Sequence, residues 1–147
     1  MNDTRQIIPL VGLVATFAMA AYMVIQLSGQ VREPVGDLSN AAVAEVHNGQ
    51  GEPILRGQFA PVQEEDDDVE RKARLESTGT DADAGGEAEV EFSKNAPAQQ
   101  EIEFSVHSLD PGTALTFLID GQTIGTATVD RRGRAELEIE IARPGSR

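Results

Sequence analysis

Residues Ile7 to Leu27, IIPLVGLVATFAMAAYMVIQL, carry no formal charge. As a helix, about twenty-one residues at 1.5 Å each reach roughly 30 Å, the thickness of a bilayer's hydrocarbon core. A stretch of that length and character predicts a membrane-spanning helix, so the rest of the chain must fold as a polar unit beside it. Pro9 falls in the first turn or so, where its missing N–H costs little. Gly12 and Ala15, with Ala18, Ala20 and Ala21, offer small residues at which a second helix can pack closely; such residues are also simply common in spans of this kind.

Ala18-Met19-Ala20 has the small-residue pattern of a signal-peptidase site. The apolar run nevertheless continues through Tyr22, Met23, Val24, Ile25 and Leu27, where a cleaved signal turns polar, so an uncleaved anchor is expected. Arg5 on one side and Arg32 on the other leave the charge rule for orientation nearly silent. A short polar leader, residues 1–6, is an easy segment to leave in the cytoplasm. The expectation is therefore a single-pass signal-anchor in the cytoplasmic (inner) membrane, with the C-terminal part outside the cytoplasm.

Residues 28–40, SGQVREPVGDLSN, mix Gly, Pro, Ser and charge without a period and read as a tether. From Ala41 onward the period is two. Strand-like runs cover 41–46, 54–59, 69–77, 88–92, 102–106, 115–119, 123–129 and 135–141. Turn chemistry separates them: Asn48-Gly49-Gln50-Gly51, Asp110-Pro111-Gly112, Asp120-Gly121 and Asp130-Arg131-Arg132-Gly133. About eight short runs linked in this way predict an all-β antiparallel sandwich or small barrel over residues 41–143, with residues 144–147 as a tail. Arg71 breaks the apolar face formed by Val69, Ala73 and Leu75, which leaves a short helix as the alternative to a strand there.

The net charge of −13 excludes nucleic acid as a partner, since a phosphate backbone is bound through an excess of Lys and Arg. The absence of cysteine excludes disulfides and thiolate metal sites. Glu64 to Asp68 is an uninterrupted acidic run that must stay solvated, bind cations or face a basic partner. Calcium is weighed at Asp66, Asp67 and Asp68, and at Asp81, Asp83 and Glu87. The second set lacks the full frame of an EF-hand loop, and a solvated Gly/Asp turn is the plainer reading. Arg131, Arg132 and Arg134 form a basic cluster in the last turn; it can pair with the acidic run or meet an acidic partner or lipid headgroup. His47 and His107 are too few and too isolated to predict a metal site. Glu136, Glu138 and Glu140 line one face of the last run, where charge protects a strand edge from pairing with other chains.

The segment 109–140 resembles extracellular bacterial β-domains of the immunoglobulin-like and chordin-domain-like kind, through Pro111, Gly112, Asp120, Gly121, Gly125, Thr126, Asp130 and Gly133. The resemblance implies a β-fold and an exported location; it implies no catalytic residue, cofactor or substrate. No nucleophile, base and orienting group occur in supporting context, so the chain is not expected to be an enzyme. The expected function is a single-span, non-enzymatic interaction or scaffold protein, such as an accessory subunit of a respiratory or photosynthetic membrane complex. Its partners would be the bilayer, through residues 7–27, and a membrane or extracytoplasmic protein. The alternative is a calcium- or ligand-binding exported domain.

Overall fold

The structure is a computed structural model that describes residues 36–62, 68–79, 81–95 and 99–142. The expected membrane helix at 7–27, with Gly12 and Ala15, the leader, most of the tether, Asp66 and Asp67, and the tail lie outside the described residues. Among the described residues no helix is long and apolar enough to cross a membrane.

Eight strands follow one another: β1 (Val43–His47), β2 (Pro53–Gln58), β3 (Asp68–Ser77), β4 (Gly85–Ser93), β5 (Gln99–His107), β6 (Ala114–Ile119), β7 (Gln122–Thr128) and β8 (Ala135–Ala142). They make one antiparallel sheet in the order β7-β6-β1-β2-β3-β4-β5-β8. The run containing Arg71 is a strand, because Val69, Arg71, Ala73 and Leu75 alternate inward with Glu70, Lys72 and Arg74 outward.

β1 to β5 form a meander of hairpins. The chain then leaves β5, crosses to pair β6 with β1, and returns from β7 to pair β8 with β5. The two crossing loops run side by side: Leu109 donates to the Gly133 carbonyl at 3.1 Å, Gly112 to Val129 at 2.8 Å and Val129 to Thr113 at 2.9 Å. These crossings require the sheet to curl. Phe104 of β5 and Phe117 of β6 are separated in the ladder by four strands, yet their ring centroids lie 4.9 Å apart across the interior. The result is a nearly closed barrel filled by the inward side chains of every strand, among them Val46, Leu55, Leu75, Val90, Ile102, Phe104, Leu115 and Phe117.

Two glycines in strands make the curl sterically feasible. A Cβ at Gly57 would collide with the Arg74 carbonyl, its carbon only 2.8 Å away, so β2 can cross β3 this closely only without a side chain. At Gly125 of β7 the place of a Cβ is taken by Leu137 and Ile139 of β8, with Leu137 Cδ2 at 2.8 Å. The two edge strands thus meet through side chains, and among the described residues no ladder joins them.

Asp120 and Gly121, both at positive φ, make the two-residue turn between β6 and β7. The Asp120 carboxylate also accepts the N–H groups of Ala42 and Val43 at 2.8–3.1 Å, which fixes the start of β1.

The last residues of the tether are built into this core. Leu38, in a 3-10 turn over Leu38–Asn40, is 2% exposed. The inward side chain of Gln100 holds the segment by accepting from Leu38 N at 2.9 Å and donating to the Gly36 carbonyl at 3.0 Å. Periodicity could not mark this boundary, because a single buried leucine in a polar stretch has no period.

Candidate functional site

The outward faces of β3, β4, β5 and β8 bring together glutamates that are far apart in sequence. The ladder places Glu70 opposite Glu91, Glu91 opposite Glu101, and Glu101 opposite Glu140. The row beside it runs Lys72, Glu89, Glu103, Glu138, and the next Arg74, Glu87, Ser105, Glu136. Like charges directly opposite on neighbouring strands destabilise a sheet, and here the first row is carboxylate on all four strands. That row borders an open depression of about 390 Å³, where β3 and β5 begin and β4 and β8 end.

Lys72 is the counter-charge at one corner. Its ammonium lies 2.7 Å from Glu70, 3.0 Å from Glu89 and 3.7 Å from Glu87. The hydrogen bond from Lys72 holds the Glu70 carboxyl below its ordinary value, and the same bond, with the one Lys72 donates to Glu89, holds the ammonium well above its own. Away from this corner the shifts reverse. Burial first, then the Glu89 carboxyl and the charges of Glu101 and Glu70, push Glu91 up. Burial, then Glu138, Glu140 and Glu103, do the same to Glu101. Among the described residues no cation lies within ion-pair distance of Glu91, Glu101 or Glu140.

The carboxylates of Glu70, Glu89 and Glu91 converge within 4.8 Å, the spacing of a metal-ligand set. The Lys72 ammonium already supplies the positive charge among them, which disfavours a divalent ion at this point. The described residues weighed for calcium do not converge into a ligand set of their own. Asp68 opens β3 opposite Ser93, Asp81 and Asp83 lie in the loop between β3 and β4, and Glu87 sits within β4 with its carboxylate toward Lys72.

Arg131, Arg132 and Arg134 occupy the tight turn before β8. There the Asp130 carboxylate accepts the N–H groups of Arg132 and Arg134 at 2.8 and 2.9 Å. Those two bonds lower the Asp130 carboxyl. Among the described residues none of the three arginines makes an ion pair, and their possible partners at Glu64–Asp67 lie outside the described residues. His107 points outward at the end of β5, whereas His47, half-buried, lies 3.5 Å from Glu45 on the outer face of β1.

The repulsion along the row has a thermodynamic sign. A carboxyl raised in the folded state binds its proton more tightly there than in the unfolded chain. Glu91 and Glu101 therefore add stability as pH falls through their folded values, and that gain is lost as pH rises into the neutral range. Glu70 does the opposite: its contribution is present at neutral pH and lost as pH falls through its lowered value. Glu101→Gln is accordingly expected to raise the melting temperature at neutral pH. The gain corresponds to roughly 0.2–1 kcal/mol for each like-charge pair relieved, and it vanishes once the wild-type carboxyl is protonated. Thermal melts of both proteins at neutral pH and below the carboxylate range check this; an equal difference at both pH values contradicts it.

The sequence did contain a signal for this surface, the alternating glutamates at 87, 89 and 91, at 101 and 103, and at 136, 138 and 140. What it lacked was the register that lines them up. Comparison of the chain with protein-family models, curated proteins and solved structures gives no match.

Proposed function

We propose that this chain is a single-span, membrane-anchored, non-enzymatic interaction protein. Its extracytoplasmic β-domain uses the outer face of β3, β4, β5 and β8 to bind a Lys/Arg-rich surface of a membrane-associated protein partner. The anchor rests on the uncharged stretch 7–27. The observation that carries the binding face is the row Glu70, Glu91, Glu101 and Glu140.

Edge protection explains glutamates on β8, which is an edge strand. It does not explain them on β4 and β5, each hydrogen-bonded on both sides. A sheet that keeps like charges in register at a cost to its stability is using them for something other than folding. Cations from a partner would relieve that repulsion on binding, and the negative field of the face would steer the encounter. Holding such a face close to the bilayer raises its effective concentration near a membrane partner without any new interaction.

Two measurements test this reading. Membranes containing the full chain, washed with alkaline carbonate, are expected to retain it; release into the aqueous fraction overturns the anchor. The full chain in lipid nanodiscs is expected to bind an Arg/Lys-rich peptide with an affinity that falls with salt. The variant E70Q/E91Q/E101Q/E140Q is expected to bind at least about sevenfold more weakly, at roughly 0.3 kcal/mol or more for each exposed ion pair removed. Undiminished binding by that variant overturns the face as the site.

A further inference from the structure

Arg71 interrupts the apolar face of β3, and among the described residues its contacts, a cation–π approach to Phe59 included, offset its charge only in part. The residue is 7% exposed. Its Nε donates to the Ala60 carbonyl at 2.7 Å, its Nη1 to the Ser39 carbonyl at 2.8 Å, and the guanidinium lies 5.6 Å from the centroid of the Phe59 ring. Among the described residues no carboxylate stands within ion-pair distance of it. The charge of Asp120 reaches it only through space, and that carboxylate is already engaged by the N–H groups of Ala42 and Val43. Burial lowers the guanidinium from its ordinary value, and Asp120 offsets this in part.

A structural clasp on the entering chain would not need a charge. Gln100 shows this in the same molecule, holding Gly36 and Leu38 with a neutral amide that is 2% exposed. Burying a cation costs far more than burying an amide unless an anion meets it.

The guanidinium borders a groove of about 520 Å³ whose other walls include Ala41, Val43, Phe59, Pro61 and Val62. We propose that this groove binds a monocarboxylate with an apolar tail, of the class of a medium-chain fatty-acid anion, its head on Arg71 and its tail along those apolar side chains. Of the five N–H donors of a guanidinium, the two backbone carbonyls take two; a carboxylate matches the planar fork that is left. The one buried cation among the described residues, in a chain of net charge −13, suits one negative charge rather than a phosphate dianion. The site shares no residue with the glutamate face, and neither proposal depends on the other.

The test is a titration of the isotopically labelled full chain in lipid nanodiscs with octanoate, with neutral octanamide as control, read at the Val43 and Val62 backbone amides. Octanoate is expected to move both resonances saturably, octanamide to leave them in place, and R71Q to weaken the response at least tenfold while the amides of β5 and β8 keep their positions. R71K, which keeps the charge, is expected to retain part of the response and decides the matter should R71Q fail to fold. An equal response to octanamide, no response to octanoate, or an undiminished response in R71Q overturns the proposal. It is equally overturned if octanoate acts only in E64Q/E65Q/D66N/D67N, since the chain's own acidic run is then the anion of this groove.

Discussion

Phe104→Ala is expected to destabilise the β-domain by about 3–5 kcal/mol, the range for removing a fully buried phenylalanine ring and leaving its cavity. A domain of this size has roughly 5–15 kcal/mol in total, so the variant should sit near the edge of folding. Its melting temperature should fall by about 12–40 °C, at roughly 4–8 °C for each kcal/mol. The position is severe because Phe104 does more than fill volume. It is fully buried on β5, opposite Ala88 of β4 and Leu137 of β8, and its ring meets Phe117 of β6 across the interior. That pairing of rings joins two parts of the sheet which no ladder joins directly. Denaturant melts followed by far-UV circular dichroism measure the loss; a cost below about 1 kcal/mol would show that the interior is not closed at this point.

Gly57→Ala comes next in expected effect, for a reason opposite to a cavity. The added methyl meets backbone atoms of Arg74, which cannot rotate away as a side-chain tip can. Overpacking of this kind costs typically about 1–3 kcal/mol, and the upper end is expected here because the whole β2–β3 crossing must open. Gly79→Ala is the control, since nothing lies within 4 Å of the added atom. It should change stability by no more than about 0.5 kcal/mol. If the two variants melt alike, close approach of β2 to β3 is not what Gly57 provides.

Much of the β-fold was legible along the chain. Ala88, Val90 and Phe92, then Ile102, Phe104 and Val106, then Leu115, Phe117 and Ile119 alternate in sequence and are buried in the structure. A period of two tells which side of a strand is dry, because a side chain and its second neighbour share a face. Asp120-Gly121 was readable as a hairpin turn because its backbone conformation suits few residue pairs. Arg71 could be seen as an exception to its face, but not what it would touch: Ala60 lies eleven residues away and Ser39 thirty-two.

By itself, then, the sequence determined the strands, their wet and dry faces and their turns, since each follows from conformational preferences and burial over a few neighbouring residues. The tertiary structure alone decided the pairing of β6 with β1 and of β8 with β5, and with it the row of four glutamates and the inward place of Arg71. Those features depend on which distant strands become neighbours and in what register. That choice is made by closing one interior around all eight strands at once, and no local stretch of chain contains it.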